Sequence, residues 1–297
     1  FFSRRDTFLK MKAHIVVLLA VISATLLEGK SVLTSGEGDV SNSLEGRGTC
    51  NCGTRSSGRI VDGVKAVRGE IPWQVSLQRR QAGMFSFFCG GTIVSSLYVV
   101  TAAHCIKNYE TEVIVFSGEV DLYQKGTITK IEKITQHEKY NSNTQQNDIA
   151  MIRLRTELQF TQSTRPACLP RNSLARETFE YDVVQISGFG AIYEDGPSST
   201  DLMKSSQTVI PNKMCNGVYK HIYPTSLCAY LSNTDTCQGD SGGPMTYEKN
   251  GYSYLVGVVS FGAGCARPNI PGVYTRVTEY LEWIDSHTGP GICTNAS

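Results

Sequence analysis

Short runs of β-branched and apolar residues, each broken off by Gly, Asn, Pro or Ser, recur along most of this chain and restrict it to a β-rich fold. Thr92-Ile93-Val94, Tyr98–Thr101, Val113–Phe116, Ile149–Ile152, Val183–Ile186, Leu255–Val259 and Val273-Tyr274 are too short to be helices and rich in residues that suit a pleated surface. Ahead of them, Trp73, Val75 and Leu77 alternate with polar residues, as on a half-buried strand. Many short strands at fairly regular spacing indicate an all-β barrel or sandwich. One stretch departs from this period: Val277, Tyr280, Leu281 and Ile284 recur at helical spacing and predict a short helix over 277–286, packed on the body. There is no internal repeat and no low-complexity tract.

Composition narrows the class further. A length of 297 residues implies one or two domains, and 40% hydrophobic residues suffice for a packed core. The formal charge of +1 and the lack of any strongly basic stretch exclude a nucleic-acid partner. The ten cysteines are even in number and spread along the chain. Cys50-x-Cys52 is their only close pair, with no second pair at zinc-finger spacing, so disulfides in an oxidising compartment are expected.

The N-terminal part is read in three pieces. Residues 1–10 precede the first methionine and look like translated upstream sequence. Residues 11–29 have a basic start and the apolar run Ile15–Leu27, the pattern of a secretory signal, with cleavage after Ala24 or near Gly29. That run is short for a membrane span. Residues 30–59, rich in Gly, Ser and Thr, read as a flexible, cleavable propeptide or light chain, and residues 60–297 as the folded domain.

Three segments carry chemistry: Thr101-Ala-Ala-His104-Cys105, Asn147-Asp148-Ile-Ala-Met-Ile-Arg-Leu154, and Asp235-Thr-Cys-Gln-Gly-Asp240-Ser241-Gly-Gly-Pro244. Singly, each has an ordinary reading: a core histidine, a strand start, a glycine-rich turn. Together, and in the order His…Asp…Ser, they closely resemble the trypsin/chymotrypsin family of serine peptidases, and the match runs from Arg59 to about Ile284.

That resemblance implies two packed six-stranded antiparallel β-barrels with a short C-terminal helix. It implies that His104 is the base for the nucleophile Ser241 and that Asp148 orients the imidazole. The backbone N–H groups of Gly239 and Ser241 would form the oxyanion hole. Asp235 would lie at the base of the pocket for the residue before the cut bond and select Arg or Lys. Gly262 and Gly272 would line that pocket's walls, and Ser260-Phe261-Gly262 would pair with the substrate backbone. Phe261 stands where most members have Trp. Arg59-Ile60-Val61-Asp62-Gly63 resembles an activation site: cleavage after Arg59 would free the Ile60 ammonium to pair with Asp240, and Asp62 departs from the usual Ile-Val-Gly-Gly. The implied disulfides are Cys89–Cys105, Cys215–Cys228 and Cys237–Cys265, with Cys168 bound to Cys50 or Cys52 and the remaining one of that pair joined to Cys293. A further family bridge is missing at both ends, where Val184 and Tyr247 stand.

No metal and no cofactor is expected: the loop from Gly118-Glu119 lacks a clear second glutamate for calcium, and Pro271 stands where sodium-activated members carry tyrosine. Asn295-Ala-Ser297 is a glycosylation sequon near the end. The expected protein is a secreted, extracellular monomer acting on protein or peptide substrates with Arg or Lys before the cut bond, with an activating protease and serine protease inhibitors as partners and no membrane partner. Two rivals are a non-catalytic homologue that binds a partner through the same fold, and an esterase or acyltransferase using the same triad. His104, Asp148, Ser241, Gly239 and Asp235 are all present, against the first; the pocket and activation site favour peptides, against the second.

Overall fold

A computed structural model describes residues 51–56, 64–81, 83–106, 113–191, 196–230, 240–263, 269–289 and 292. Six strands close the first barrel in the order β2-β3-β4-β7-β6-β5: β2 (Gln74–Gln81), β3 (Met84–Ile93), β4 (Tyr98–Thr101), β5 (Val113–Ser117), β6 (Thr127–Gln136) and β7 (Ala150–Leu154). Six more close the second: β8 (Val183–Gly188), β9 (Met203–Ile210), β10 (Ser226–Tyr230), β11 (Pro244–Lys249), β12 (Tyr252–Phe261) and β13 (Gly272–Arg276). Their order is β9-β10-β13-β12-β11-β8, with β8 pairing back to β9. Every pairing within the barrels is antiparallel, so closure leaves few free edges. A two-residue β1 (Val64–Lys65) adds to the outside of β9, and the chain just after it is clipped there by a buried ion pair between Glu70 and Lys204.

Each barrel has its own apolar core. Val75, Leu77, Ile93, Val115 and Ile152 fill the first, and Ile186, Val209, Leu227, Met245 and Tyr274 the second. Strand β2 corrects one expectation. Trp73, Val75 and Leu77 are buried as predicted, but so are Gln74 and Ser76, because the outer face of this strand meets the second barrel. There the Ser187 hydroxyl donates to Gln74 Oε1 at 2.7 Å. Half-buried periodicity in the sequence thus hides a strand that is covered on both faces.

Besides a one-turn α1 (Asn212–Cys215), the C-terminal helix differs slightly from its predicted span. Val277–Tyr280 form a tight 3₁₀ turn, and α2 (Leu281–Thr288) follows, ending at Gly289 with φ +63°. The apolar stripe still faces inward: Val277, Tyr280 and Ile284 are buried.

Three disulfides lie among the described residues: Cys89–Cys105, Cys215–Cys228 and Cys52–Cys168. The last settles which cysteine meets Cys168. Around it, Gly53 donates its N–H to the Pro166 carbonyl and accepts from Ser253 N–H, both close to 2.9 Å, while Arg55 donates to the Ser253 hydroxyl and lies over the Trp73 ring. Residues 51–56 are therefore bound to the body by more than their disulfide. The β8–β11 register, Met245 opposite Ile186 and Thr246 opposite Gln185, carried one step further sets Tyr247 opposite Val184. Both belong to the second core, which replaces a covalent bridge by apolar packing. Cys50, Cys237, Cys265 and Cys293 lie outside the described residues. Among the described residues, no helix is long and apolar enough to cross a membrane.

Candidate active site

His104 sits in the 3₁₀ turn Ala103–Cys105, directly after β4, and its neighbour Cys105 is tied by disulfide to Cys89 on β3. Asp148 precedes β7 and is 0% exposed. Its carboxylate accepts the His104 backbone N–H on Oδ1 at 2.8 Å, and its Oδ2 lies 2.7 Å from His104 Nδ1. The Ser260 hydroxyl donates to the same Oδ2 at 2.5 Å. A fully buried carboxylate is costly unless donors surround it, and here three do. With Nδ1 as donor to Asp148, the neutral imidazole carries its lone pair on Nε2. The His104 side chain keeps 23% exposure, so the ring is not sealed in the core.

Several longer-range contacts hold Asp148 in place. Thr275 on β13 donates to its carbonyl at 2.7 Å. Asn147 adopts φ +58°, its side-chain NH2 donates to the Lys139 carbonyl, and its side-chain oxygen accepts from the Tyr280 hydroxyl at 2.9 Å. Burial first, and the nearby Asp148 charge second, push the Tyr140 hydroxyl up to about 12. Burial likewise raises Tyr280. Both hydroxyls keep their protons and donate here, Tyr140 to Gln145 Oε1 and Tyr280 to Asn147 Oδ1.

Ser241 follows Asp240 in the turn that leads into β11. Its carbonyl accepts the Gly90 N–H at 2.8 Å, and Gly242 N–H donates to the Val259 carbonyl at 2.8 Å. Gly242 has φ +77°, and a Cβ there would lie 2.2 Å from Thr101 Oγ1, so only glycine permits this approach. Thr101 is three residues before His104. The nucleophile candidate is thus drawn by its backbone into the seam where His104 lies, with no hydrogen bond between the two side chains. Such contacts are often long without substrate.

Within the second barrel, β12 and β13 are irregular at Val259/Phe261, where Ser260 is the extra residue. A bulge re-aims a side chain, and this one accompanies a hydroxyl that reaches Asp148. Phe261 is half-buried and meets Tyr219 edge to face at 5.6 Å. The Tyr219 hydroxyl donates to the Pro271 carbonyl and accepts from Ala263 N–H, linking the segment after Phe261 to the one before Gly272. Cys89, His104 and Cys105 also approach one another closely enough to suggest metal ligands. Both sulfurs are consumed in their disulfide, so no thiolate is left for an ion.

A family model described as "Trypsin" matches residues 60–284, which contain every one of these side chains. The chain belongs to the trypsin family of serine peptidases. It is 38% identical over 240 residues to Transmembrane protease serine 11B of Homo sapiens, an alignment covering 78% of this chain and 56% of that protein. It is 36% identical over 256 residues to the Proclotting enzyme of Tachypleus tridentatus, covering 80% of this chain and 68% of that one. The chain therefore spans little more than half the length of the first relative.

For a trypsin-family chain, the placement of Asp240 is the other informative feature. Its Oδ1 accepts the Gly190 N–H at 2.9 Å. A Cβ at Gly188 would come within 2.0 Å of that oxygen, and one at Gly190 within 2.6 Å of the carboxylate. Two glycines on the β8 end thus make room for a carboxylate next to Ser241. Arg59, Ile60, Asp235 and Gly239 lie outside the described residues. Sequence reasoning missed this glycine cradle, the Ser260 and Thr275 donors, the Tyr280–Asn147 bond and Tyr219. All act across more than 40 residues of chain; the one local signal was Gly188-Phe189-Gly190 at a strand end.

Proposed function

We propose that this chain is a secreted serine endopeptidase, made as an inactive precursor, that cuts polypeptides after Arg or Lys. The observation that supports it best is the buried Asp148 carboxylate gripping His104 through Nδ1, in the same seam as the Ser241 turn. Ser241 Oγ attacks the scissile carbonyl while His104 Nε2 takes its proton. The oxyanion is met by the N–H groups of Gly239 and Ser241. As the C–N bond breaks, His104 returns the proton to the leaving amine. Water, deprotonated by the same imidazole, then cleaves the acyl-enzyme ester and restores Ser241. Asp148 stays ionised and stabilises the transient imidazolium. Asp235 supplies the counter-charge for the substrate's guanidinium or ammonium.

Activation follows from the same site. Cleavage after Arg59 creates an ammonium on Ile60, and the Asp240 carboxylate, already turned into its glycine cradle, is the partner that orders the pocket and oxyanion loop. The Cys52–Cys168 bridge and the Arg55 contacts keep the cleaved segment attached. The apolar run Ile15–Leu27 together with the disulfides supports export to an oxidising compartment.

The test is to cut the purified precursor with a trace of trypsin, verify an Ile60 terminus by N-terminal sequencing, and add an arginyl amide. Turnover should appear on cutting and vanish in Ser241→Ala. A correctly cut but inert protein would defeat the proposal in favour of a non-catalytic binding homologue.

A further inference from the structure

The turn that carries His104 has a further support besides Asp148 and the Cys89–Cys105 bridge. Gln136, the last residue of β6, donates its side-chain amide to two carbonyls of that turn, Ala103 at 2.9 Å and Ile106 at 2.5 Å. One lies just before His104 and the other two residues after it. Both acceptors are carbonyl oxygens, so the amide presents its NH2 and spends both hydrogens here. The Ala103 carbonyl accepts a second bond, from Ile106 N–H at 3.0 Å, which closes the turn itself. Carbonyls at the end of a helical turn lack partners within it, and Gln136 supplies them from another strand.

The register of the first barrel explains why Gln136 is placed to do this. Thr101 on β4 stands opposite Ala150 on β7, and Ala150 stands opposite Gln136 on β6. The three form one rank across adjacent strands. His104 comes three residues after Thr101, and Asp148 two before Ala150. One step past Gln136, His137 N–H donates to the Ile149 carbonyl at 3.0 Å. Base, orienting carboxylate and Gln136 thus leave the same edge of the barrel on neighbouring strands. From β4 to β6 is two strand spacings, about 10 Å, more than a glutamine side chain spans. The two bonds form because the turn leans across the start of β7, the same lean that brings His104 onto Asp148.

We propose that Gln136 is a positioning residue for the base: its amide fixes the tilt of the His104 turn, and through it the direction in which Nε2 meets the Ser241 proton. Asp148 sets the tautomer, and Gln136 sets the backbone frame from which the ring projects. Small displacements of a base are costly, because proton transfer needs hydrogen-bond geometry. Gln136 acts through the turn rather than on the reacting atoms. It is exposed, so water competes for its amide and its share in stability is small. This rests on the endopeptidase reading, and the test separates the two.

The activated protein is assayed on an arginyl amide. Gln136→Glu keeps the shape and length of the side chain but brings no N–H at neutral pH, and its carboxylate faces two carbonyls. Its kcat should fall about thirtyfold, with KM within about twofold. Gln136→Leu, which leaves the carbonyls without this partner, should lose about tenfold in kcat. Gln136→Arg, whose planar fork restores N–H donors at an exposed position, should stay within about threefold of the parent. Melting temperatures should agree within a few degrees, so that lost turnover is not lost fold. A side chain that only packs would tolerate Glu, its nearest match in shape. A Gln136→Glu kcat within about twofold of the parent, a loss that appears in KM instead, or a Gln136→Arg no better than Gln136→Leu overturns the brace while the endopeptidase stands. A cut parent that never turns over the amide removes both.

Discussion

The two barrels contribute to the site by different physical means. On the first barrel's side the groups are clamped side chains: Asp148, fully buried, is bonded twice to His104 and takes a third bond from Ser260 of the second barrel. On the second barrel's side the Ser241 turn is placed by backbone bonds and by the absence of side chains at Gly188, Gly190 and Gly242. The first arrangement is complete in the uncut chain. The second, under the proposed activation, takes its last anchor from a terminus that exists only after cleavage at Arg59. Under the proposed function, the base and its orienting carboxylate stand ready before cleavage, and the surroundings of Ser241 are completed only after it.

The sharpest way to break this contrast is at the clamp. Asp148→Asn keeps the shape but turns an acceptor-only group into one that presents N–H to His104, favouring the wrong tautomer. kcat on an arginyl amide should fall about 10⁴-fold, a size taken from this family's triad generally, with the fold intact by circular dichroism. A fall under about tenfold would show that the clamp does not set the tautomer. On the other side, Gly190→Ala puts a methyl group 2.6 Å from the Asp240 carboxylate. Amide turnover by the cut form should drop on the order of a hundredfold, about 2.7 kcal/mol, and because the same contact exists in the uncut precursor, that precursor should also melt a few degrees lower. Unchanged turnover by the cut form would show that the cradle does not set the position of Asp240.

Smaller effects sharpen the comparison. Ser260→Ala removes one of three donors to a buried charge, and kcat should fall about tenfold, as expected for about 1.4 kcal/mol. Replacing Cys52 and Cys168 together by Ser should lower stability by about 2–4 kcal/mol in denaturant titration, yet change amide turnover less than twofold, because the tether touches neither half of the site.

The smallest effect concerns His137, whose N–H donates to the Ile149 carbonyl next to Asp148 and whose ring packs on Tyr280. Burial lowers its pKa, against the opposing pull of Glu138. A depressed histidine prefers to be neutral in the folded state. Its contribution is present above its unfolded value near 6.5 and is lost as pH falls from there through the folded value. His137→Gln should therefore flatten the drop in melting temperature between pH 7 and 5; an unchanged slope would assign the drop to other groups.

Much of this was readable before any fold. Short β-branched and apolar runs place many of the strands, though not β6, β9, β10 or β11, and the segments around His104, Asp148 and Ser241 name their chemistry, because strands and turns follow neighbours two to four residues away. Strand β2 was misread for an equally physical reason. Gln74 and Ser76 look solvent-facing by local rule, and only the second barrel, more than a hundred residues on, covers them.

The choice of Cys52 over Cys50 for Cys168 belongs to the same class. Two cysteines one residue apart are equivalent to any spacing argument, and the close approach of Gly53 to Pro166 and Ser253 decides between them. By itself, then, the sequence determined the all-β class, the three reactive residue types and their order, because these are written in short stretches of chain. The tertiary structure alone decided which hydroxyls reach Asp148 and which glycines make space for Asp240. Those depend on closing two barrels against each other, and packing between distant strands leaves no local period to read.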